Sequence, residues 1–373
     1  MNKKKILFFL PTLGHGGAEK VLVNLVNEMN REKFSITVQT MFDTGIYREK
    51  LAPWIRYIGG LPWYFPGNTH LFKCFSPEIL FHFYIRESYD LIVSYLEGPG
   101  ARIVSACPEQ TTKLISWIHI SLDTEKNAKL SFRSFREAEI CYGKFDKTIC
   151  VSESVKEYFR KWFPEIRTEV LYNTVDFREI REKMHEPVND ICFRKDEINI
   201  CSVGKLIKTK GYDRVIPAVK RLRDEGIPLH IYHFGTGREL RNLKRAVYKN
   251  GLENCFTFAG FRKNPYKYMA ASDFYLCSSR REGFSTAVTE ALITGTPVIA
   301  TDCAGSRELL GENEYGILTG NSTEGIYRGL SVMLKTDGLK EYYRKQAEER
   351  AQFFNSDQTV KKVEDMLLEL FLS

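Results

Sequence analysis

Short runs of β-branched and aromatic residues alternate along this chain with amphipathic segments, and that rhythm constrains the fold more than any other feature. A strand that returns parallel to its predecessor needs a crossover of about a dozen residues, usually a helix, so the alternation predicts βαβ units and parallel sheets. In the first half, strands are expected at Ile6–Leu10, Ser35–Thr40, Leu91–Tyr95, Lys113–Ile118 and Thr148–Val151. Between the first two, Val21, Leu22, Leu25, Val26 and Met29 share one face of a helix over Ala18–Asn30, the face that packs on the sheet. A polar stretch, Asp176–Glu197, carries charge without apolar periodicity and reads as an interdomain linker. A second alternating set follows, at Asn199–Val203, Leu229–Gly235, Phe256–Ala259, Phe274–Cys277, Pro297–Ala300 and Gly316–Leu318. The length of 373 residues agrees, because single hydrophobic cores stop growing at roughly 250–300 residues. The expectation is an α/β chain of two doubly wound domains, 1–177 and 198–350, joined by a linker at 178–197. Val360, Val363, Met366, Leu367, Leu370 and Phe371 repeat at helical spacing, so a C-terminal helix over 351–373 is expected to cross back to the first domain.

Several function classes are set aside at once. The chain is 43% hydrophobic and 27% charged, too ordinary for a disordered or fibrous protein. Its longest apolar runs fall far short of the ~20 residues that span a bilayer. Lys3–Lys5 precede an apolar stretch, but Pro11 and Gly14 end it and no small-residue cleavage site follows, so a cytosolic location is expected. Nine scattered cysteines, with no Cys-x-x-Cys and no Cys/His cluster at zinc spacing, fit reduced thiols. A net charge of +7 permits an anionic partner, but no nucleic-acid motif is present and no nucleic acid is expected to bind.

One region breaks the rhythm. Trp54, Trp63, Tyr64, Phe65, Phe72, Phe75, Phe81, Phe83 and Tyr84 crowd into residues 54–85. Core and loop packing is the ordinary reading of such residues. An exposed amphipathic rim that touches a membrane or a hydrophobic acceptor is the alternative.

Three segments carry chemistry. Gly14-His15-Gly16-Gly17-Ala18-Glu19 leaves the first strand and opens the first helix, where glycines let backbone approach a ligand. Glu19 stands where a dinucleotide fingerprint has its third glycine, which argues against a dehydrogenase. Gly204, Lys205 and Lys210 close the first strand of the second domain, and two cations at a strand's carboxyl end suit a diphosphate. In Arg280 to Glu290, a loop with Glu282-Gly283-Phe284 leads to Ser285, a good N-cap, and a helix that begins near Thr286. The free amides of a helix start accept phosphate or hydroxyl oxygens, and two carboxylates, Glu282 and Glu290, suit vicinal hydroxyls. Solvated lysines and a surface acid are the bland readings of the same residues.

Taken in order, Gly16-Gly17-Ala18-Glu19, His119, Gly204 to Gly211 and the Glu282-x7-Glu290 pair resemble the retaining GT-B glycosyltransferases of family 4. Asn173-Thr174-Val175-Asp176 resembles the family's hinge-proximal motif, and Phe261 to Tyr266 its base-side loop. The wording is most similar to bacterial transferases that extend lipid-linked oligosaccharides for capsule, O-antigen or protein glycosylation. The resemblance implies two Rossmann-like domains facing a cleft. It implies that a hexose or N-acetylhexosamine moves from a nucleotide-diphosphate sugar, UDP-linked, to a hydroxyl of a polyprenyl-diphosphate-linked glycan with retention. The site is then expected at the inner face of the cytoplasmic membrane, with peripheral membrane contact. Glu290 would accept the ribose hydroxyls, and Glu282 and Gly283 with the Phe284, Ser285 and Thr286 amides would hold the sugar. Lys205 and Lys210 would neutralise the diphosphate beside Gly204, and Phe261, Arg262 and Tyr266 would line the base. Gly16, Gly17 and His119 would sit on the acceptor side, with His119 at the reacting centre. Lys205 stands where the family usually has Arg, a point charge in place of a bidentate fork. No Asp-x-Asp occurs, so no divalent metal or other cofactor is expected. The alternatives are a non-catalytic glycosyltransferase-like subunit and a sugar-nucleotide epimerase on the same fold.

Overall fold

Residues 3–14, 16–64 and 71–372 are described by the structure, a computed structural model. The chain divides into two units, one running up to Val175 and resuming at Ser356, the other Asp176–Asn355.

The first unit holds a parallel sheet of β1 (Lys4–Leu10), β2 (Phe34–Thr40), β3 (Arg56–Ile58), β4 (Leu91–Tyr95), β5 (Lys113–Ile118), β6 (Lys147–Cys150) and β7 (Thr168–Val170), in the order 3-2-1-4-5-6-7. Parallel sheets are covered on both faces, which is why β1 reads as an unbroken apolar run: Ile6 through Leu10 are all fully buried. Register pairs Ile6 with Ile36 and with Leu91, so β1 lies at the centre. The helix Gly17–Glu28 buries Val21, Leu22, Leu25 and Val26, the face expected from the spacing. The last helix, Ser356–Leu372, belongs to this unit. Its Glu364 accepts from Asn30 N at 2.6 Å and pairs with Lys33 Nζ at 3.4 Å, and Lys4 Nζ lies over the Phe371 ring at 4.7 Å.

The second unit repeats the plan with β8 (Ile198–Val203), β9 (Leu229–Phe234), β10 (Phe256–Gly260), β11 (Phe274–Cys277), β12 (Val298–Thr301) and β13 (Ile317–Thr319), in the order 10-9-8-11-12-13. Both orders reverse direction once, between β1 and β4 and between β8 and β11. An open parallel sheet leaves its ligand crevice at such a switch point, outside the carboxyl ends of the strands.

Three expectations need correction. The edge strands β3 and β7, three residues each and at most half-buried, lie outside the expected set, whereas the equally short β13 buries Ile317 and Thr319 and falls within it. The stretch read as a linker at 178–197 is part of the second unit: the helix Phe177–Lys183 buries Ile180, and Asp190 accepts from Arg262 and Tyr268. The C-terminal helix starts at Ser356 rather than 351, after a separate turn at Gln352–Phe354.

The aromatic segment divides between its two readings. Phe72, Phe81 and Tyr84 are buried, whereas Trp63, Tyr64, Phe75 and Phe83 are exposed; Phe65 lies outside the described residues. The helix Pro77–Tyr84 buries Leu80, Phe81 and Tyr84 and leaves Ile79 and Phe83, four residues apart, in solvent. Arg102, 1% exposed, holds the turn before this helix: its guanidinium donates to Phe72 O and Phe75 O, both at 2.9 Å, and to Glu137 at 2.9 Å.

Candidate active site

In the second unit the chemistry gathers where β8 and β11 end. Gly204 is the first residue off β8, and a Cβ there would stand 2.9 Å from the Tyr212 hydroxyl. Lys205 follows with its side chain exposed. Lys210 ends a tight turn, Lys208–Lys210, and Gly211 behind it has φ 70°, with space for a Cβ closed by the Ser278 carbonyl at 2.1 Å. That glycine draws the turn against the exit of β11, where Ser278 Oγ donates to Lys210 O at 2.8 Å. Lys210 Nζ then pairs with Glu282 Oε1, and the same oxygen accepts from Ser279 Oγ at 2.5 Å. Burial opposes the Lys210 charge and is the largest influence on it, but the Glu282 carboxylate together with Cys277 and Tyr212 outweighs it and raises the ammonium pKa.

Neighbouring residues fix this pair. Arg280 grips both oxygens of Asp213 at 2.7 Å and donates to Lys208 O at 2.8 Å, tying the β11 exit to the lysine turn. Gly305 packs under the loop, where a Cβ would meet Gly283 O at 2.4 Å. Ser285 caps the helix Thr286–Ile293 by accepting from Val288 N at 3.4 Å. Phe284 is buried edge-on to Phe354, Thr286 is half-buried, and Glu290 is 5% exposed on the helix, its charge felt at Tyr275 on β11.

The base-side loop is arranged differently from expectation. Phe261 is half exposed, but Arg262 Nε donates to Asp190 at 3.0 Å, and Tyr266 is buried at the start of the helix Tyr266–Ala271. Arg262 is thus committed to a carboxylate of its own unit.

In the first unit, Gly16 caps the helix Gly17–Glu28 without a side-chain bond, and Gly17 is exposed. A Cβ on Gly16 would lie 1.7 Å from Glu19 Oε2. The glycine therefore makes room for a carboxylate that folds back over the first turn. His15 lies outside the described residues. His119 follows β5, its amide donating to Glu97 Oε2 at 2.9 Å and its ring packed on Tyr95 at 4.6 Å between centroids. Burial drives its pKa down to about 3, so the imidazole is neutral at physiological pH.

Sequence reasoning missed Ser279, the Arg280–Asp213 clamp, Asp190 and Glu97. Serines and surface acids carry no signal by type. Glu97 did have one, as a carboxylate between a strand exit and the Gly98-Pro99 start of the helix Pro99–Val104. Among the described residues no group of three or more His, Cys, Asp or Glu is placed to hold a metal ion, and no helix is long and apolar enough to cross a membrane. Chemically, the second unit offers an ammonium, a carboxylate and a helix N-terminus at one switch point, a set that suits a phosphate next to hydroxyl groups.

Known proteins match this pattern. The profile described as glycosyl transferases group 1 matches residues 188–350, and that of Glycosyltransferase Family 4 matches residues 15–179. The N-acetylgalactosamine-N,N'-diacetylbacillosaminyl-diphospho-undecaprenol 4-alpha-N-acetylgalactosaminyltransferase of Campylobacter jejuni is 29% identical over 370 residues, covering 94% of this chain and 96% of that one. Among solved structures, HepE of Anabaena in complex with UDP superposes with a TM-score of 0.77 at 19% identity, over 98% of this chain and 100% of that one. Sucrose-phosphate synthase of Thermosynechococcus elongatus superposes with a TM-score of 0.80 at 16% identity, over 99% and 100%. These structures share the GT-B fold of two Rossmann-like domains.

Proposed function

Since the chain belongs to the group 1, family 4 glycosyltransferases, we propose that it moves a hexose or N-acetylhexosamine from a UDP-sugar to a hydroxyl of a lipid-linked glycan in cell-surface polysaccharide synthesis. The observation that carries this reading is the Lys210–Glu282 pair at the β8/β11 switch point, beside the capped helix Thr286–Ile293. Lys210 and the exposed Lys205 face the diphosphate's charge. Glu282, with the amides of Phe284 to Thr286, takes the hydroxyls of the transferred sugar, and Glu290 those of the ribose. Phe261 offers a ring to the base.

The transfer proceeds with retention. The bond from the anomeric carbon to the diphosphate oxygen breaks, the acceptor oxygen bonds to the same face, and the departing diphosphate takes the acceptor's proton. Charge on the leaving group falls to the lysines and the helix amides, so no divalent metal is needed. His119, neutral, serves as a hydrogen-bonding partner at the reacting centre rather than as a cation.

The lipid-linked acceptor is supported by the Campylobacter relative, whose name specifies a diphospho-undecaprenol substrate. Exposed Trp63, Tyr64, Phe75, Ile79 and Phe83 in a chain of net charge +7 suit peripheral contact with the inner face of the membrane. The test is thermal stabilisation across UDP-, GDP-, ADP- and dTDP-sugars, with and without EDTA. A shift with UDP-sugars that survives EDTA is the expected result. Conversion of the nucleotide sugar without acceptor would instead mark an epimerase. No shift with any nucleotide would favour a non-catalytic subunit.

A further inference from the structure

The strand β9 carries a histidine that the fold alone does not need. All of Leu229–Phe234 is buried, and His233 is 2% exposed. An aliphatic side chain would fill that place with no polar atom to satisfy. His233 Nδ1 has no hydrogen-bond partner among the described residues, so only half of the ring's polarity is compensated. The other nitrogen does have a partner. Nε2 lies 3.1 Å from Gly204 O, and because a carbonyl only accepts, Nε2 carries the ring proton and donates. Burial keeps the ring in this neutral form.

That carbonyl stands one residue before Lys205, where the crevice opens. Pairing between β8 and β11 runs no further than Cys201 with Tyr275. On the other side of the strand exit, Gly204 N donates to Phe234 O at 3.0 Å and Leu206 N to Thr236 O at 2.9 Å. Successive backbone groups of an extended chain face opposite sides, so the Lys205 amide between them faces β11 and the crevice. It has no backbone partner among the described residues. The Gly204–Lys205 peptide is planar, so whatever fixes the Gly204 oxygen also fixes the direction of the Lys205 N–H. His233 does this, and Gly235 gives it room. A Cβ on Gly235 would stand 1.9 Å from Gly204 O and 3.3 Å from His233 Nε2. Tyr212 completes the arrangement, with its ring edge-on to His233 at 4.2 Å between centroids and its hydroxyl over Gly204 beside the Lys210 stem.

We propose that His233 is a positioning residue for the transfer: by holding Gly204 O it aims the Lys205 amide into the crevice, where that amide joins Lys205 and Lys210 in taking up charge on the departing diphosphate. This rests on the glycosyltransferase reading and adds to it a buried residue that acts only through the β8 exit.

The test compares the affinities of UDP and UDP-N-acetylgalactosamine for the full chain by titration calorimetry, in mildly alkaline buffer. The terminal phosphate of UDP then carries one more negative charge than the sugar diphosphate, as the leaving group does once the bond breaks. His233→Leu removes the donor and should weaken UDP about tenfold and the sugar nucleotide about threefold or less, since hydrogen bonds to charged groups are the stronger ones. His233→Gln can present its side-chain amide to Gly204 O and should restore the wild-type ratio. A purely structural role would lower the melting temperature and leave the ratio of the two affinities unchanged in the folded protein. An unchanged ratio in His233→Leu, or the same loss in His233→Gln, would overturn the proposal while the donor reading stands. A wild type that binds neither nucleotide would fail the donor reading itself and the proposal with it. Where near-UV circular dichroism finds His233→Leu unfolded, His233→Phe, which keeps a flat ring against Tyr212, decides on the same ratio.

Discussion

Lys210 and Glu282 meet because of a glycine. Gly211 adopts a conformation open to few other residues, and it is this turn that sets the ammonium against the β11 exit. Removing Glu282 takes away both a partner of Lys210 and the proposed sugar contact. Glu282→Ala should lower kcat/KM roughly 100-fold or more with the chain still folded. Glu290→Ala should instead weaken nucleotide binding roughly 10-fold, about 1.4 kcal/mol, with a smaller effect on kcat. Steady-state kinetics beside UDP titration separates the two, and wild-type turnover in Glu282→Ala would sink these roles. The histidines make a second residue-level prediction. His119 and His233 are both held neutral by burial, with pKa about 3. A depressed folded pKa gives stability that is complete above the unfolded value near 6.5 and is lost as pH falls toward 3. Between pH 7 and pH 5 each should cost its unit about 2 kcal/mol, from 1.36 kcal/mol per unit of pKa difference. Urea unfolding at the two pH values measures it, and His233→Gln should flatten the dependence in the second unit.

Strands were legible as elements wherever burial on both faces made a long apolar run. The central strands β1, β2, β4, β5, β8 and β11 fall within two residues of expectation, because a fully covered strand leaves little choice of residue. The edges β3 and β7 carry no apolar run because none of their residues is fully covered, unlike the equally short β13. The segment at 54–85 was ambiguous for a different reason. An aromatic residue looks the same in sequence whether it fills a core, like Phe72, or stands in solvent, like Phe75. Arg102, a buried cation, pins the carbonyls of both, and which ring turns inward is settled by packing: Phe72 lies against Phe42 and Tyr84. Arg102→Met takes the guanidinium from those carbonyls and from Glu137, with Arg133 still donating to Phe75 O and Glu137. It should destabilise the first unit by about 3–5 kcal/mol, the usual cost of breaking a buried ion pair, and should leave the second unit's unfolding midpoint in place.

At the level of the entire chain, two parallel sheets with matching strand orders, and a last helix that returns to the first, account for the likeness in fold to solved structures at sequence identities near 19%. On the proposed transfer without a divalent metal, UDP-sugar stabilisation should survive EDTA, and any dependence on added Mg²⁺ or Mn²⁺ would refute that part of the proposal. The number of α/β units, the strand rhythm and the strand exits that carry Gly16, His119, Lys210 and Glu282 follow from the order of residues alone, because burial and turn geometry act on neighbours along the chain. Packing at long range, by contrast, pairs Lys210 with Glu282, commits Arg262 to Asp190, makes Gly16 give way to Glu19, and sets Glu97 at the β4 exit holding the His119 amide. Those contacts join residues brought together by the sheet order, across separations such as the 72 positions from Lys210 to Glu282, and no local pattern records them.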